Sequence, residues 1–222
     1  MVKCWPDGDA LVLPERPVAT ATDSAAAGEW AAALMQRRQT VLPKRLVAPG
    51  PGPAQLDLIF RSAAAAPDHG ELLPWRFVVI PSAARPALAQ AFATALLERD
   101  PDATSGQVAQ AREKAQRSPV LLLVVVRLGS ADEEIPDCER LLSAGCAIQN
   151  MLLVATAMGY GSALTSGKAL GSRAFEDLFS LTPTERAVCF VSLGTASSRK
   201  PVRRRPEPAR FVQFLSGSSV EG

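Results

Sequence analysis

The sequence predicts a sandwich of the α/β or α+β class, in which long helices cover a small sheet. Two strand patterns support this prediction. The residues from Val120 to Val126 and from Ala187 to Leu193 are almost all apolar, which is typical of central strands covered on both faces. Segments with helical periodicity separate the predicted strands. The chain has 222 residues, is 47% hydrophobic and carries a formal net charge of +2, so no overall basic character favours nucleic acid.

The first part of the chain reads as an extension followed by helices and one strand. Residues 1–26 are rich in Ala, Pro, Asp and Thr without steady periodicity, so they are interpreted as an N-terminal extension to a main domain of residues 27–216. Ala27 to Arg38 fits a helix, and the prolines that follow favour an extended loop. From Pro53 apolar residues recur at helical spacing, and Trp75 to Ile80 fits a buried strand.

The remaining elements follow the same logic of periodicity and capping. They are expected, in chain order, as a helix capped by Ser82, a polar helix from Thr104 to Arg117, the strand from Val120, a long apolar helix from Glu139 to Met158 closed by Gly159, a short strand from Ser162 to Thr165, a short helix from Ser172 to Phe179, the strand from Ala187 ending at Gly194, and a basic tail with an apolar end.

Cysteine usage and hydropathy bear on the compartment. The four cysteines are widely spaced and form no C-x-x-C pair, which fits a reducing, cytoplasmic environment. The stretch from Leu141 to Leu164 is long and apolar enough to cross a bilayer of about 30 Å. It contains Gln149 and Asn150, however, and a helix that is apolar all round is more often buried in a core or a subunit interface. We therefore expect no membrane insertion.

Two sequence features offer side chains suited to a ligand. Arg37 and Arg38 can grip a phosphate through charge-assisted bonds, and Gln39 adds an amide. The same arginines would also suit a solvated helix C-terminus. His69 is the chain's single histidine and lies in a loop between a helix and a strand. It could serve as a general base, as a donor to a ligand, or simply bond to backbone.

Two further features lie in the second half of the chain. The residues Thr165, Ser166 and Gly167 follow a short strand and do not complete a Walker motif, because five residues separate Gly161 from Gly167. Their backbone N–H groups and hydroxyls would suit the edge of a flat heterocycle. The tail from Arg199 to Arg205 holds five cations, which could bind nucleic acid, close over an anionic cofactor or stay solvated.

Taken in order and spacing, several short segments make the chain resemble the flavin-dependent nitroreductase family, in its compact bacterial single-domain branch. The segments are Gln36-Arg37-Arg38-Gln39, Ala64 to His69 with Pro74-Trp75-Arg76-Phe77, Ser143-Ala144-Gly145-Cys146-Ala147, Gly159-Tyr160-Gly161, Thr165-Ser166-Gly167 and Leu193-Gly194-Thr195. The resemblance implies an α+β sandwich with a small, mainly antiparallel sheet. It also implies an intertwined homodimer, in which residues 197–216 form a tail that embraces the partner and FMN lies at the interface.

The resemblance further implies an enzyme that takes hydride from NADH or NADPH and reduces a second small substrate, such as a nitroaromatic or a quinone, in a ping-pong cycle. It implies flavin contacts from Arg37, Arg38 and Gln39, from His69 of the other subunit, and from Thr165, Ser166 and Gly167. Arg203 and Arg205 are the expected tail cations near the phosphate. No residue is assigned as acid, base or nucleophile. A protein of the same fold that binds flavin or another ligand without turnover is the alternative.

Overall fold

One antiparallel sheet lies between two groups of helices. The computed structural model describes residues 21–129, 134–199, 201 and 203–215. Residues 1–20 of the predicted extension, and residues 200, 202 and 216 of the predicted tail, lie outside this range. The helices are α1 (Ala21–Arg37), α2 (Pro53–Ala63), α3 (Arg85–Arg99), α4 (Ser105–Glu113), α5 (Asp137–Ala157) and α6 (Arg173–Phe179), and the strands are β1 (Leu46–Val47), β2 (Trp75–Val79), β3 (Val120–Arg127), β4 (Gly161–Thr165) and β5 (Glu185–Ala196).

The sheet has the order β2-β3-β5-β4, and β1 pairs with the C-terminal end of β5. All of these strand pairs are antiparallel, which confirms the α+β class. The strand expected to end at Gly194 instead runs on to Ala196, so that boundary was wrong. Gly194 therefore lies inside the strand, and its lack of a side chain leaves space for Pro119. A Cβ there would lie 2.7 Å from the ring of Pro119.

Both faces of β3 are covered, as its uniform apolar sequence predicted. Leu122, Val124 and Val126 belong to a core cluster with residues of α2 and α5. Leu121, Leu123 and Val125 belong to a second cluster with residues of α3 and α6. Each fully buried leucine or valine contributes on the order of 2 kcal/mol. The two clusters therefore make β3 the centre of the fold.

The start of α3 differs from the prediction. Ser82 makes no capping hydrogen bond, and it opens a short 3-10 turn, after which α3 begins at Arg85. Arg85 is buried, and its guanidinium donates hydrogen bonds to the carbonyls of Ile80 and Ala115. This buried arginine, and not a serine cap, fixes the helix start. The start of the predicted helix from Thr104 to Arg117 is confirmed, because Thr104 caps α4, but α4 ends at Glu113 and a 3-10 turn follows over Lys114–Gln116.

The long apolar helix α5 is confirmed, and one of its faces is exposed in the described part of the chain. Its buried residues pack on the sheet and α2. On the opposite side an exposed stripe runs through Cys138, Leu141, Leu142, Gly145 and Cys146. Within the described residues, α5 is the one helix long and apolar enough to cross a membrane. Its packing against the core is that of an internal helix.

Candidate functional site

Two cavities adjoin the segment that joins α1 to β1. We call the first the arginine cavity. It has a volume of about 500 Å³, and its lining includes Arg38, Gln39, Arg45, Arg203 and Arg205. Four of the predicted ligand-binding residues therefore meet in one place: Arg38 and Gln39 come from one part of the chain, and Arg203 and Arg205 from a part more than 160 residues later. The sequence did not single out Arg45, which lies two residues after Pro43 in a segment expected only to be an extended loop.

The arginine cavity has an unbalanced positive charge. Among the described residues, no carboxylate forms an ion pair with any of its four arginines. Partial burial lowers the pKa of Arg38, and the nearby positive charge of Arg205 lowers it further. Like charges held together in this way favour a bound anion, and guanidinium groups suit the geometry of a phosphate.

Backbone contacts hold the cavity in shape. The Arg205 guanidinium donates to the carbonyl oxygens of Gln36, at 3.3 Å, and Arg38, at 2.7 Å. It thereby ties the tail to the C-terminal end of α1, where a cation is favourable. The segment that follows α1 is tied to the sheet, because the Val41 N–H donates to the Ser162 carbonyl at 2.8 Å.

We call the second space the loop cavity, because the predicted loop Thr165, Ser166 and Gly167 lines it. It has a volume of about 490 Å³ and is closed on the other side by residues of α3 and α4. Gln110 and Lys114 from this second wall were not selected from the sequence. Their helix read as a polar, exposed one, and nothing in its pattern showed that it faces the loop across a cavity.

A buried hydroxyl also lines the loop cavity. Ser192 is 1% exposed, and its Oγ has no hydrogen-bond partner in the described part of the chain. Ser192 lies opposite Ala163 in the pairing of β5 with β4, two residues before the loop. A buried hydroxyl without a partner is costly, so a ligand in this cavity would be stabilised by a polar atom directed at it.

His69 lines neither cavity. It lies in a short 3-10 turn, and its imidazole Nδ1 is 2.7 Å from Glu139 Oε2, with 67% of the histidine side chain exposed. The loop is held to α5 by a second bond, in which Ser143 Oγ donates to the Pro67 carbonyl. The expected alternative of a histidine that bonds to backbone is not what the structure shows.

The structure thus divides the predicted ligand residues between two cavities and leaves Arg37 and His69 outside both. Arg38, Gln39, Arg203 and Arg205 share the arginine cavity, and the loop residues line the loop cavity. Arg37 is exposed at the end of α1 and lines neither cavity. Arg37 and His69 therefore stay predictions as flavin contacts.

Comparison with known proteins identifies a single family. The description "Nitroreductase family" applies to residues 36–195 of this chain. Two curated relatives are named "Putative NAD(P)H nitroreductase". The one from Haemophilus influenzae is 32% identical over 173 residues, which is 78% of this chain and 93% of that protein. YdjA from Escherichia coli is 31% identical over 186 residues, covering 82% of this chain and 97% of that protein.

Solved structures show the same fold. A nitroreductase-like family protein from Bacillus cereus superimposes with a TM-score of 0.73 at 18% identity, over 84% of this chain and 96% of that one. NfnB, described as an FMN- and NADPH-dependent nitroreductase from a Sphingopyxis strain, superimposes with a TM-score of 0.66 at 17% identity, over 84% of this chain and 99% of that one.

Proposed function

This chain belongs to the nitroreductase family, and we propose that it is an FMN-dependent oxidoreductase that takes hydride from NADH or NADPH and reduces a second small substrate, nitroaromatic or quinone-like, by a ping-pong mechanism. The family and its fold make it an oxidoreductase. The observation that supports FMN is the arginine cavity, whose four guanidiniums have no described carboxylate to balance them.

The phosphate of FMN would bind in the arginine cavity. Arg38 and Arg205 would donate to its oxygens, and the anion would relieve the repulsion between these two guanidiniums. Gln39, in the same lining, would supply an amide to the ribityl chain. Leu42 lines this cavity and Pro43 lines the loop cavity, so the two cavities border the same short segment.

The ring of FMN would lie against the loop of Thr165, Ser166 and Gly167. The loop offers backbone N–H groups and two hydroxyls, and Gln110 and Lys114 offer donors from the opposite wall. Bound FMN supplies the hydride acceptor and donor, whereas these residues orient the ring and tune its edge through hydrogen bonds. A substrate in the remaining part of the loop cavity would lie beside the ring.

We also propose that the protein works as a homodimer, with the α5 stripe as the centre of its interface. Leu142 is 69% exposed on this helix, and a contiguous apolar face of this kind marks an association surface. Glu139, the partner of His69, lies one turn before Leu142. His69 would therefore lie at the rim of the interface and reach the flavin of the other subunit. The tail residues Phe211 and Phe214 are 66% and 92% exposed, as expected if they pack on the partner.

The proposed cofactor and activity are tested together by the visible spectrum of the purified protein and an anaerobic titration with NADPH. Flavin absorbance that bleaches on titration is the expected result. Bound flavin that neither NADH nor NADPH can bleach would instead support the alternative of a ligand-binding protein without turnover. A colourless protein that ignores added FMN would refute both. From the widely spaced cysteines we also propose a cytoplasmic location, and from the small net charge we propose that nucleic acid is not a partner.

The dimer is tested by Leu142→Asp, with Leu97→Asp on α3 as the matched control. Leu97 is 40% exposed and lies outside the α5 stripe. Light scattering after size-exclusion chromatography should show a monomer for L142D and a dimer for L97D. The monomer should also lose FMN, because the predicted contact from His69 is removed. A dimeric L142D protein with unchanged mass would exclude this interface.

A further inference from the structure

The loop cavity carries a rim of positive charge of which the proposed flavin site uses only Lys114. Four cations line it, and no aspartate or glutamate of the described residues does. The four are Arg99, Lys114, Arg117 and Lys168. They come from three separate segments of the chain, so their meeting is a property of the folded structure. Such a rim favours an anionic ligand.

Below the rim the cavity is apolar and partly aromatic. Phe92 and Phe190 line it, with their ring centroids 5.7 Å apart. The ammonium of Lys114 is 5.8 Å from the centroid of Phe92, which places a positive charge directly against the aromatic floor. A flat ring lying on this floor would therefore have its acid substituent within reach of a cation.

The most deeply buried polar side chain in the lining is Ser192, whose hydroxyl lacks a partner in the described structure. A ligand with a hydrogen-bonding atom at its buried end would give this hydroxyl a partner. The cavity thus matches a molecule with three parts: a polar atom at one end, a planar ring in the middle, and an acid group at the other end.

We propose that the loop cavity selects planar aromatic acids, of which nitrobenzoates are the simplest, with the carboxylate among the rim cations and the nitro group at the buried end. This inference rests on the proposed function. The reduction it concerns adds two electrons and two protons to the nitro group and yields a nitroso compound and water. NAD(P)H supplies the hydride and solvent supplies the second proton.

The experiment compares 4-nitrobenzoate with 4-nitrobenzamide, which differ in charge and hardly in shape. We expect kcat/KM to be about tenfold higher for the carboxylate, at the lower end of what a hydrogen bond to a charged group contributes. The preference should shrink as salt is raised, because the rim is open to solvent. In the double variant R99Q/R117Q, which keeps Lys114 and Lys168, the ratio should fall clearly below the wild-type value without reaching one.

The matched control is R112Q/R173Q. It removes the same charge from two exposed arginines that lie outside the cavity, so its ratio should equal that of the unchanged protein. A wild-type ratio of one or below overturns the proposal, and so does an equal fall in the control. The 2′-phosphate of NADPH is the other anion that the rim cations could bind. A variant that changes only the NADPH-to-NADH preference, with the carboxylate ratio intact, also overturns it.

A second measurement does not depend on turnover. Calorimetry on the FMN-loaded protein should show tighter binding of benzoate than of benzamide, and R99Q/R117Q should reduce the difference. If neither nitro compound is reduced but benzoate still binds selectively, the proposed function fails and the inference on ligand class stands. If both nitro compounds are reduced at equal rates and benzoate binds no more tightly than benzamide, the proposed function stands and the inference on ligand class fails.

Discussion

Replacing Arg205 by glutamine tests whether the tail completes the arginine cavity. The guanidinium makes two hydrogen bonds to carbonyls at the end of α1, and its charge lies at the negative end of that helix. In the absence of ligand we expect R205Q to lose about 1 kcal/mol of unfolding free energy, from the helix-dipole term and one net hydrogen bond. This loss is separate from any effect on the cofactor.

The effect on FMN binding should be larger. If the guanidinium also donates to the phosphate, its removal costs a further 1.5–3 kcal/mol, or about 10- to 150-fold in the dissociation constant. Arg204 is the matched control, because it is adjacent, is exposed and does not line the cavity. R204Q removes the same charge and should change the affinity by less than about 0.5 kcal/mol. The FMN affinity of R205K should lie between those of R205Q and R204Q, because lysine keeps the charge but cannot donate two parallel hydrogen bonds as a guanidinium does.

Fluorescence titration of the apoprotein with FMN measures these affinities, and urea denaturation measures the free energy of unfolding. The reasoning is refuted if R205Q binds FMN as tightly as the unchanged protein. It is also refuted if R204Q weakens binding as much as R205Q does, because the tail would then act through its overall charge. An R205Q protein with an unchanged free energy of unfolding would show that the hydrogen bonds to α1 do not stabilise the fold.

Three further predictions concern stability, each followed by chemical denaturation. Arg85→Met should cost about 3 kcal/mol, because four backbone carbonyls lose a buried donor; a loss below about 1 kcal/mol would contradict this. Gly194→Ala should cost about 1–3 kcal/mol through overpacking at 2.7 Å, whereas Gly28→Ala, with open space around it in α1, should be neutral or stabilising. The hydrogen bond from Arg76 holds the pKa of Glu185 below its usual value, so this stabilisation is present at neutral pH and is lost as pH falls through the acidic carboxylate range. R76Q should flatten that acid dependence, and an unchanged slope would exclude the pair as its source.

The sequence identified the core of the fold because burial leaves a strong local pattern. In β3 every residue from Leu121 to Val126 is buried, and only a central strand covered on both faces tolerates such a run. α5 was recognised for the same reason. The boundary at Gly194 was missed because a glycine within a strand and a glycine after it look alike in sequence. Only the position of the Pro119 ring shows that the missing side chain serves packing.

The candidate site was predictable only where a residue type has few other uses. Paired arginines and a loop of small polar residues stand out, and Arg38, Gln39 and the loop were found in this way. Gln110 and Lys114 were missed because a polar residue on a polar helix is ordinary, and its meaning depends on what lies across the cavity. Adjacent arginines also cannot be ranked from sequence. α1 ends between them, so Arg38 enters the cavity while Arg37 stays in solvent.

His69 shows why a single chain leaves the site incomplete. The family resemblance assigns it to the flavin, yet it lines neither cavity and bonds to Glu139 beside the exposed stripe of α5. Both observations agree if the stripe packs on a second copy, because a residue at the rim of a two-fold interface faces the partner's site. His69→Ala should then weaken FMN binding and leave the protein dimeric. L142D should lose both the dimer and the bound FMN. If H69A binds FMN normally while L142D does not, the interface matters for the cofactor through some other contact and the assignment of His69 is wrong.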